Sequence, residues 1–323
     1  MSALSKYVYA MGRGPSKARH LTLDEARDAM SIILSGDAAP EAVGALLMLM
    51  RYRGEIPEEI AGFVHAFREQ TRAWQGVTAD LDWPSYAAGR SRSYPFFLVA
   101  AKRLADEGTR VLIHGVNSNQ NARSSVRAAL ETVGIPEVTT PSEANQMLDK
   151  AGIAYVPLEE ISADIHRVLG LRSVLGLRSP VNTALRAFNP TCANATVQGV
   201  FHPAYKQLQL ETARVLGQPR LGVVKGGGGE FEVTPFKDVG LDLALYGEHK
   251  GDILDARIDA VGRLQDLGSG LTSLADLARS AHGTEAERAT IDGTYAAARS
   301  VLTLSRDVYG PCASPSVSQS AAA

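Results

Sequence analysis

Several things are scarce or missing in this 323-residue chain, and each narrows what it can be. Two cysteines, Cys192 and Cys312, cannot make a disulfide framework and show no metal-ligand spacing. The longest aliphatic run, Ala42 to Met50, is well short of the roughly 20 apolar residues of a membrane span. The opening MSALSKYVYAMGRG has no apolar core of a secretion signal. Together these point to the cytoplasm and away from a membrane partner. There is no internal repeat, and no helix-turn-helix, zinc-finger or RNP motif, so readout of a base sequence is not suggested. The run Lys225-Gly226-Gly227-Gly228-Gly229 lacks the Gly-Lys-Ser/Thr ending of a nucleotide-binding P-loop.

Acidic residues are missing in one place. From Ile165 to Leu210 there is no Asp or Glu, although the chain as a whole has net charge −2. Residues 83–229 hold 16 Lys/Arg against 10 Asp/Glu, a balance of +6, and the remainder holds 17 against 25, a balance of −8. A basic middle between acidic ends is the pattern of a localised anion-binding face, or of an ordinary solvated surface. At the centre of the gap stands LGLRSPVNTALRAFNP, Leu175 to Pro190, with Arg178, Arg186, Asn182 and Asn189. Guanidinium groups without acidic neighbours offer planar forks of donors to carboxylate or phosphate oxygens. The alternative is a helix hairpin whose arginines pair with carboxylates from elsewhere in the fold.

The first 75 residues read as helices. Thr22 and Glu25 form a capping box ahead of the stripe Ala26, Ala29, Met30, Ile33. Pro40 suits a first turn and Gly54 a stop, with Val43, Leu46, Leu47 and Met50 on one face. Ile56-Pro57-Glu58-Glu59 opens a third helix carrying Ile60, Phe63, Val64 and Phe67. Beyond Trp74, short apolar runs alternate with helical patterns. Leu81-Asp82-Trp83, Arg110–His114, Ile153–Val156 and Leu221–Lys225 are expected strands, and Pro95–Glu107 and Ala122–Val133 expected helices. Such alternation implies a mostly parallel sheet with ligands outside the carboxyl ends of its strands. Phe231-Glu232-Val233 looks strand-like, which would set Glu230 and Glu232 on one side, with at least one of them exposed. His202-Pro203 reads as a helix entry, Ser269 to Val308 as helical, and Pro311 to Ala323 as a disordered tail.

The order of these pieces resembles the anthranilate phosphoribosyltransferase-like family, glycosyltransferase family 3, whose fold also holds pyrimidine nucleoside phosphorylases. The resemblance is carried by Leu175-Gly176-Leu177-Arg178-Ser179 with Asn182, by Asn189-Pro190, and by Val197-x-Gly199-Val200 with Pro203. It implies a small helical domain over residues 1–78, completed by about 165–190, and a larger α/β domain over 79–164 and 191–310, with a cleft between them. It also implies a homodimer through the helical domains. The activity implied is transfer from phosphoribosyl diphosphate, held with magnesium, to anthranilate or another aromatic acceptor. Arg178 matches the acceptor-site arginine.

Departures from the family pattern shape the remaining expectations. Its glycine-rich Gly-Thr-Gly-Gly-Asp loop is replaced by Tyr86-Ala87-Ala88-Gly89-Arg90-Ser91-Arg92, and its Lys-His-Gly-Asn-Arg by Ile113-His114-Gly115-Val116-Asn117. One acid of its magnesium pair becomes Phe231, leaving Glu230 and Glu232 as metal candidates. These changes are similar to those of the YbiB-like branch, which implies a nucleic-acid-binding groove. The first expectation is therefore a binder of nucleic acid, single- or double-stranded, without sequence preference, through Arg90, Arg92, Lys102, Arg123, Arg172, Arg178, Arg186 and Lys225. Trp83, Tyr86, Tyr94 and Phe96 would either stack on bases or form core. The second is a phosphoribosyltransferase with magnesium and a ligand pocket of His114, Gly115, Asn117, Ser118, Asn119 and Asn182.

Overall fold

The computed structural model describes residues 3–14, 16–87, 93–116, 124–259, 261–268, 273–279 and 283–305. Four helices open the chain: α1 (Ser5–Gly12), α2 (Leu23–Ser35), α3 (Pro40–Arg53) and α4 (Pro57–Gln70). The capping box at Thr22 forms, with Glu25 N–H donating to Thr22 Oγ1 at 3.2 Å and Thr22 N–H to Glu25 Oε2 at 3.0 Å. The predicted apolar stripes of α2, α3 and α4 are all buried.

The α/β part follows as β1 (Leu81–Ser85), α5 (Phe97–Asp106), β2 (Val111–Gly115), α6 (Val126–Val133), α7 (Pro141–Ala151) and β3 (Ile153–Pro157). The chain then returns to the helical layer as α8 (Leu158–Ile161), α9 (Ala163–Leu175) and α10 (Pro180–Ala184). It re-enters the sheet as β4 (Ala195–Val200), α11 (Ala204–Val215), β5 (Arg220–Lys225), β6 (Val239–Leu245) and β7 (Glu248–Leu254), and closes with α12 (Leu274–Arg279) and α13 (Glu285–Leu302). The seven strands run β3-β2-β1-β4-β5-β6-β7, parallel through β5 and antiparallel at β6 and β7. This is a helical bundle beside a mostly parallel α/β layer, as expected. No described helix is long and apolar enough to cross a membrane.

The two faces of the sheet bury different things. Leu81, Trp83, Val111, Ile113, Ile153, Tyr155 and Val197 pack under α5, α6, α12 and α13. Leu112, Ala154 and Val156 point the other way, into a core shared with the helical layer. On that second face lies a buried polar chain. Asp82 Oδ2 accepts from Thr196 Oγ1 at 2.8 Å, and Asp82 Oδ1 lies 3.0 Å from His114 Nε2. His114 Nδ1 lies 2.7 Å from the Tyr86 hydroxyl, whose pKa burial pushes well up. A carboxylate only accepts, so Nε2 carries hydrogen and Nδ1 takes the Tyr86 proton donor. The side chains of Asp82 and His114 are fully buried.

The structure corrects two local readings and decides a third. Phe231-Glu232-Val233 is not a strand, and Glu230 and Glu232 are both buried, at 1% and 0% exposure. The loop reaches them because Gly199 and Gly226 carry no side chain: a Cβ on Gly199 would fall 2.0 Å from the Glu230 carbonyl carbon, and one on Gly226 1.6 Å from the Glu230 oxygen. Of the two fates open to the aromatic residues near the basic loop, core is the one they take: Trp83, Tyr86 and Phe96 are buried, and Tyr94 packs against them at partial exposure. The expected start of α6, at Ala122, and the tail lie outside the described residues.

Two stability predictions follow from this packing. A Cβ on Gly62 of α4 would sit 2.5 Å from Leu23 O and 2.7 Å from Ala26 Cβ, both on α2. Gly62→Ala should therefore cost about 1–3 kcal/mol, read as a lower urea midpoint at unchanged slope. Asp82→Ala strands His114 and Thr196 together, at about 1–3 kcal/mol per unsatisfied group. It should destabilise more than Thr196→Val, which leaves only Asp82 Oδ2 without its donor, when the two are compared by the same denaturation.

Candidate functional site

A pocket of about 260 Å³ opens where the helical layer meets the ends of β4 and α11. Its helical wall is Arg178, Ser179, Asn182, Thr183 and Arg186, with Arg51 from the last turn of α3. Its other wall is Val200 and Phe201 at the end of β4, then His202, Tyr205 and Gln209 on and before α11.

Local sequence explains the helical wall. Gly176, at φ +70°, ends α9 and turns the chain back. Pro180 then starts the one-turn helix α10, with the Asn182 side-chain oxygen accepting from Ser179 N–H at 3.1 Å. Asn189, at φ +40°, ends the segment, its amide bonded to Ala193 O at 2.8 Å and Gln218 Oε1 at 2.9 Å. Two guanidiniums fasten the hairpin. Arg68 of α4 donates to Phe188 O at 2.8 Å. Arg186 donates through Nε to Gly199 O at 2.9 Å and through Nη1 to Asn182 O at 2.9 Å.

Electrostatically the pocket is dominated by cations. Burial, and then the neighbouring Arg172 and Arg51, push the Arg178 pKa down. Burial pushes Arg186 down to about 10, with Glu230 opposing and Arg178 adding to the shift, so it stays protonated at neutral pH. Neither arginine has an ion-pair partner among the described residues. Arg51 contacts the Tyr205 hydroxyl and lies 3.8 Å from Glu55, whose own pKa burial pushes up. Gln209 is buried, donates to Thr183 O at 3.1 Å, and has a carbonyl oxygen without a partner among the described residues.

The predicted site residues separate into groups. Arg178, Arg186 and Asn182 line one pocket, and Arg172, outside its lining, is near enough to act on the charge of Arg178. Lys102 does not: it sits on α5, across the sheet, and pairs with Asp106. Lys225 is exposed at the end of β5 and does not line the pocket. His114 and Gly115 are buried in the sheet, His114 committed to Asp82 and Tyr86, so they form no ligand pocket. Arg90, Arg92, Arg123, Asn117, Ser118 and Asn119 lie outside the described residues. Sequence reasoning missed Arg51, Tyr205 and Gln209. The basic last turn Arg51-Tyr52-Arg53 was the available signal for the first, and Gln209 had none.

The carboxylates expected to hold magnesium do not fit that role. Glu230 Oε1 accepts from Ser85 Oγ at 3.0 Å and Ala87 N–H at 3.1 Å. Glu232 Oε2 accepts from Phe97 N–H at 3.0 Å, at the first turn of α5. Mg²⁺ needs carboxylate oxygens open to it and to water, and both side chains are buried, with Glu230 Oε1 and Glu232 Oε2 already held by the chain. No group of three or more His, Cys, Asp or Glu that could hold a metal occurs among the described residues.

Comparison with known proteins agrees with this architecture. Residues 7–71 match the helical bundle domain of a glycosyl transferase family. The anthranilate phosphoribosyltransferase of Geobacillus kaustophilus is 30% identical over 256 residues, 75% of this chain and 75% of that protein. That of Bacillus caldotenax is 30% identical over 231 residues, 69% of this chain and 95% of that protein. Among solved structures, the Thermus thermophilus enzyme superposes with a TM-score of 0.75 at 22% identity, covering 94% of this chain and 89% of that one. The Saccharomyces cerevisiae enzyme in complex with PRPP and Mg gives 0.64 at 16% identity, covering 93% and 94%.

These relatives overturn the expectation of nucleic-acid binding. They carry the name of a phosphoribosyltransferase, and among the described cations meant to form one groove, Lys102 lies across the sheet from Arg178 and Arg186. The bundle match, the curated relatives and the superposition agree on one assignment: the chain belongs to the anthranilate phosphoribosyltransferase family.

Proposed function

We propose that the protein transfers a phosphoribosyl group from phosphoribosyl diphosphate to an aromatic acid, with the pocket between the two layers as acceptor site. The observation that carries this reading is Arg178, a half-buried guanidinium without an acidic partner among the described residues, in a pocket the size of a single substituted ring. Its family position and the names of its relatives support the same reading. A carboxylate on the ring would take the guanidinium fork, a charge-assisted pair of hydrogen bonds that fixes ring orientation. Val200 and Phe201 supply apolar surface for the ring, and the Gln209 carbonyl oxygen accepts a proton donor such as a ring amine. In the reaction the amine nitrogen forms a bond to the anomeric carbon of the ribose, the carbon–oxygen bond to diphosphate breaks, and the amine gives up a proton. The chain contributes positioning in a partly water-excluded pocket. No step is assigned to a metal, because Glu230 and Glu232 are buried, each with one oxygen already held by the chain.

We also propose that two copies associate through the helical side, where Tyr9, Tyr52, Val174 and Leu177 are exposed on α1, at the end of α3 and around the end of α9. Sedimentation should show twice the chain mass at micromolar concentration, and a monomer there would refute the pairing.

The function is tested by release of labelled diphosphate from phosphoribosyl diphosphate in the presence of a panel of aminobenzoic acids. Release that depends on one of them is expected, and none with any of them would end the proposal. Arg178→Ala should raise the acceptor KM by about tenfold to a hundredfold, the size of a lost charge-assisted contact.

A further inference from the structure

We propose that this pocket selects an acceptor with two anionic groups, one bound at Arg178 and one at Arg186: an aromatic dicarboxylate rather than a monocarboxylate. The inference rests on the acceptor-site reading above and refines it.

Arg186 carries the argument. It lies in the short segment after α10, among Ala184, Leu185, Ala187 and Phe188, all buried. Its Nε and Nη1 are spent on the carbonyls of Gly199 and Asn182, which hold the head still but are neutral. Nη2 has no partner among the described residues, and the side chain lines the pocket. A partly buried guanidinium with no ion-pair partner among the described residues gains a charge-assisted contact when a ligand brings an anion to it.

The charges facing the pocket do not cancel. Arg51, Arg172, Arg178 and Arg186 act on one another closely enough to depress the Arg178 and Arg186 pKa values. On the other side stand Glu55, near Arg51, and Glu230, which favours the charged form of Arg186 without pairing to it within 4 Å. A single carboxylate at Arg178 leaves Arg186 facing the same cavity uncompensated. Both guanidiniums line the same space of about 260 Å³ with Val200 and Phe201, so a ring lying against those two side chains can present one anionic group to each arginine. Arg178 thus supplies the contact any aromatic acid would use, and Arg186 the contact that separates acceptors.

Calorimetric titration of the full chain with benzoate and the three benzenedicarboxylate isomers, at fixed ionic strength, tests this. At least one isomer should bind about tenfold more tightly than benzoate, a difference of roughly 1.4 kcal/mol. Arg186→Gln should bring that isomer to the level of benzoate. If no isomer exceeds benzoate on the unaltered protein, the proposal is overturned; this comparison stands even if the variant fails to fold. A preference that survives Arg186→Gln overturns the assignment to Arg186. Diphosphate release with a monocarboxylate and no dicarboxylate preference sinks this inference and leaves the transferase reading standing. Dicarboxylate preference without diphosphate release does the reverse.

Discussion

A partly buried guanidinium holding two backbone carbonyls is the constraint on which the site depends. Arg186 ties Asn182 O, in the helical layer, to Gly199 O, in the fourth strand of the sheet. Without it, the hairpin after α9 would meet the sheet through Val181, Leu185 and Phe188 alone, and apolar contacts are non-directional. Arg68 repeats the device one turn on, at Phe188 O. Arg186 thereby satisfies a carbonyl that the short α10 leaves open, and Arg68 one in the turn that follows it. The geometry that places Arg178 over the pocket is therefore fixed by polar bonds, and the pocket inherits the uncompensated charge of the group that fixes it.

A second polar system lies deeper, on the same face of the sheet. Thr196, Asp82, His114 and Tyr86 form one chain across β4, β1 and β2. It runs from the amino-end residues Asp82 and Thr196 to His114 and Tyr86, near the carboxyl ends where such a sheet usually receives ligands. Here Tyr86 packs edge-on to His114, His114 edge-on to Phe188, and the carboxylate of Glu230 takes the Ser85 hydroxyl and the Ala87 amide. The donors at the end of β1 thus already hold an internal anion. Anion binding by this face is left to the side-chain cations of the neighbouring pocket.

Much of this was readable in the residues, and the rest was not for physical reasons. The opening helices announced themselves through apolar period and caps, as at Thr22 and Glu25, because each signal is local. The parallel strands at Val111, Ile153 and Leu221 did so because buried strands are apolar runs. Strand β4 is harder to see, since Thr196 and Gln198 interrupt its apolar residues. Strand β7 is almost wholly exposed, so it has no apolar pattern at all. Arg172, Arg178, Arg186 and Asn182 were found together because one acid-free segment carries them. Arg51, Tyr205 and Gln209 reach the pocket only through tertiary packing. The burial of Glu230 and Glu232 could not be read from their alternation, since it depends on how closely another strand lets the loop approach.

That approach is set by two missing side chains. With Gly199 and Gly226 bare, the peptide at Glu230 lies directly on the ends of β4 and β5, and two residues later Glu232 grips the start of α5. The crossing works as a hasp. A rigid bolt of main chain joins neighbouring strands to the helix on the opposite face, so the rim beside the pocket and the far layer move as one piece. A substitution meant to widen the rim would have to disturb a helix behind the sheet as well.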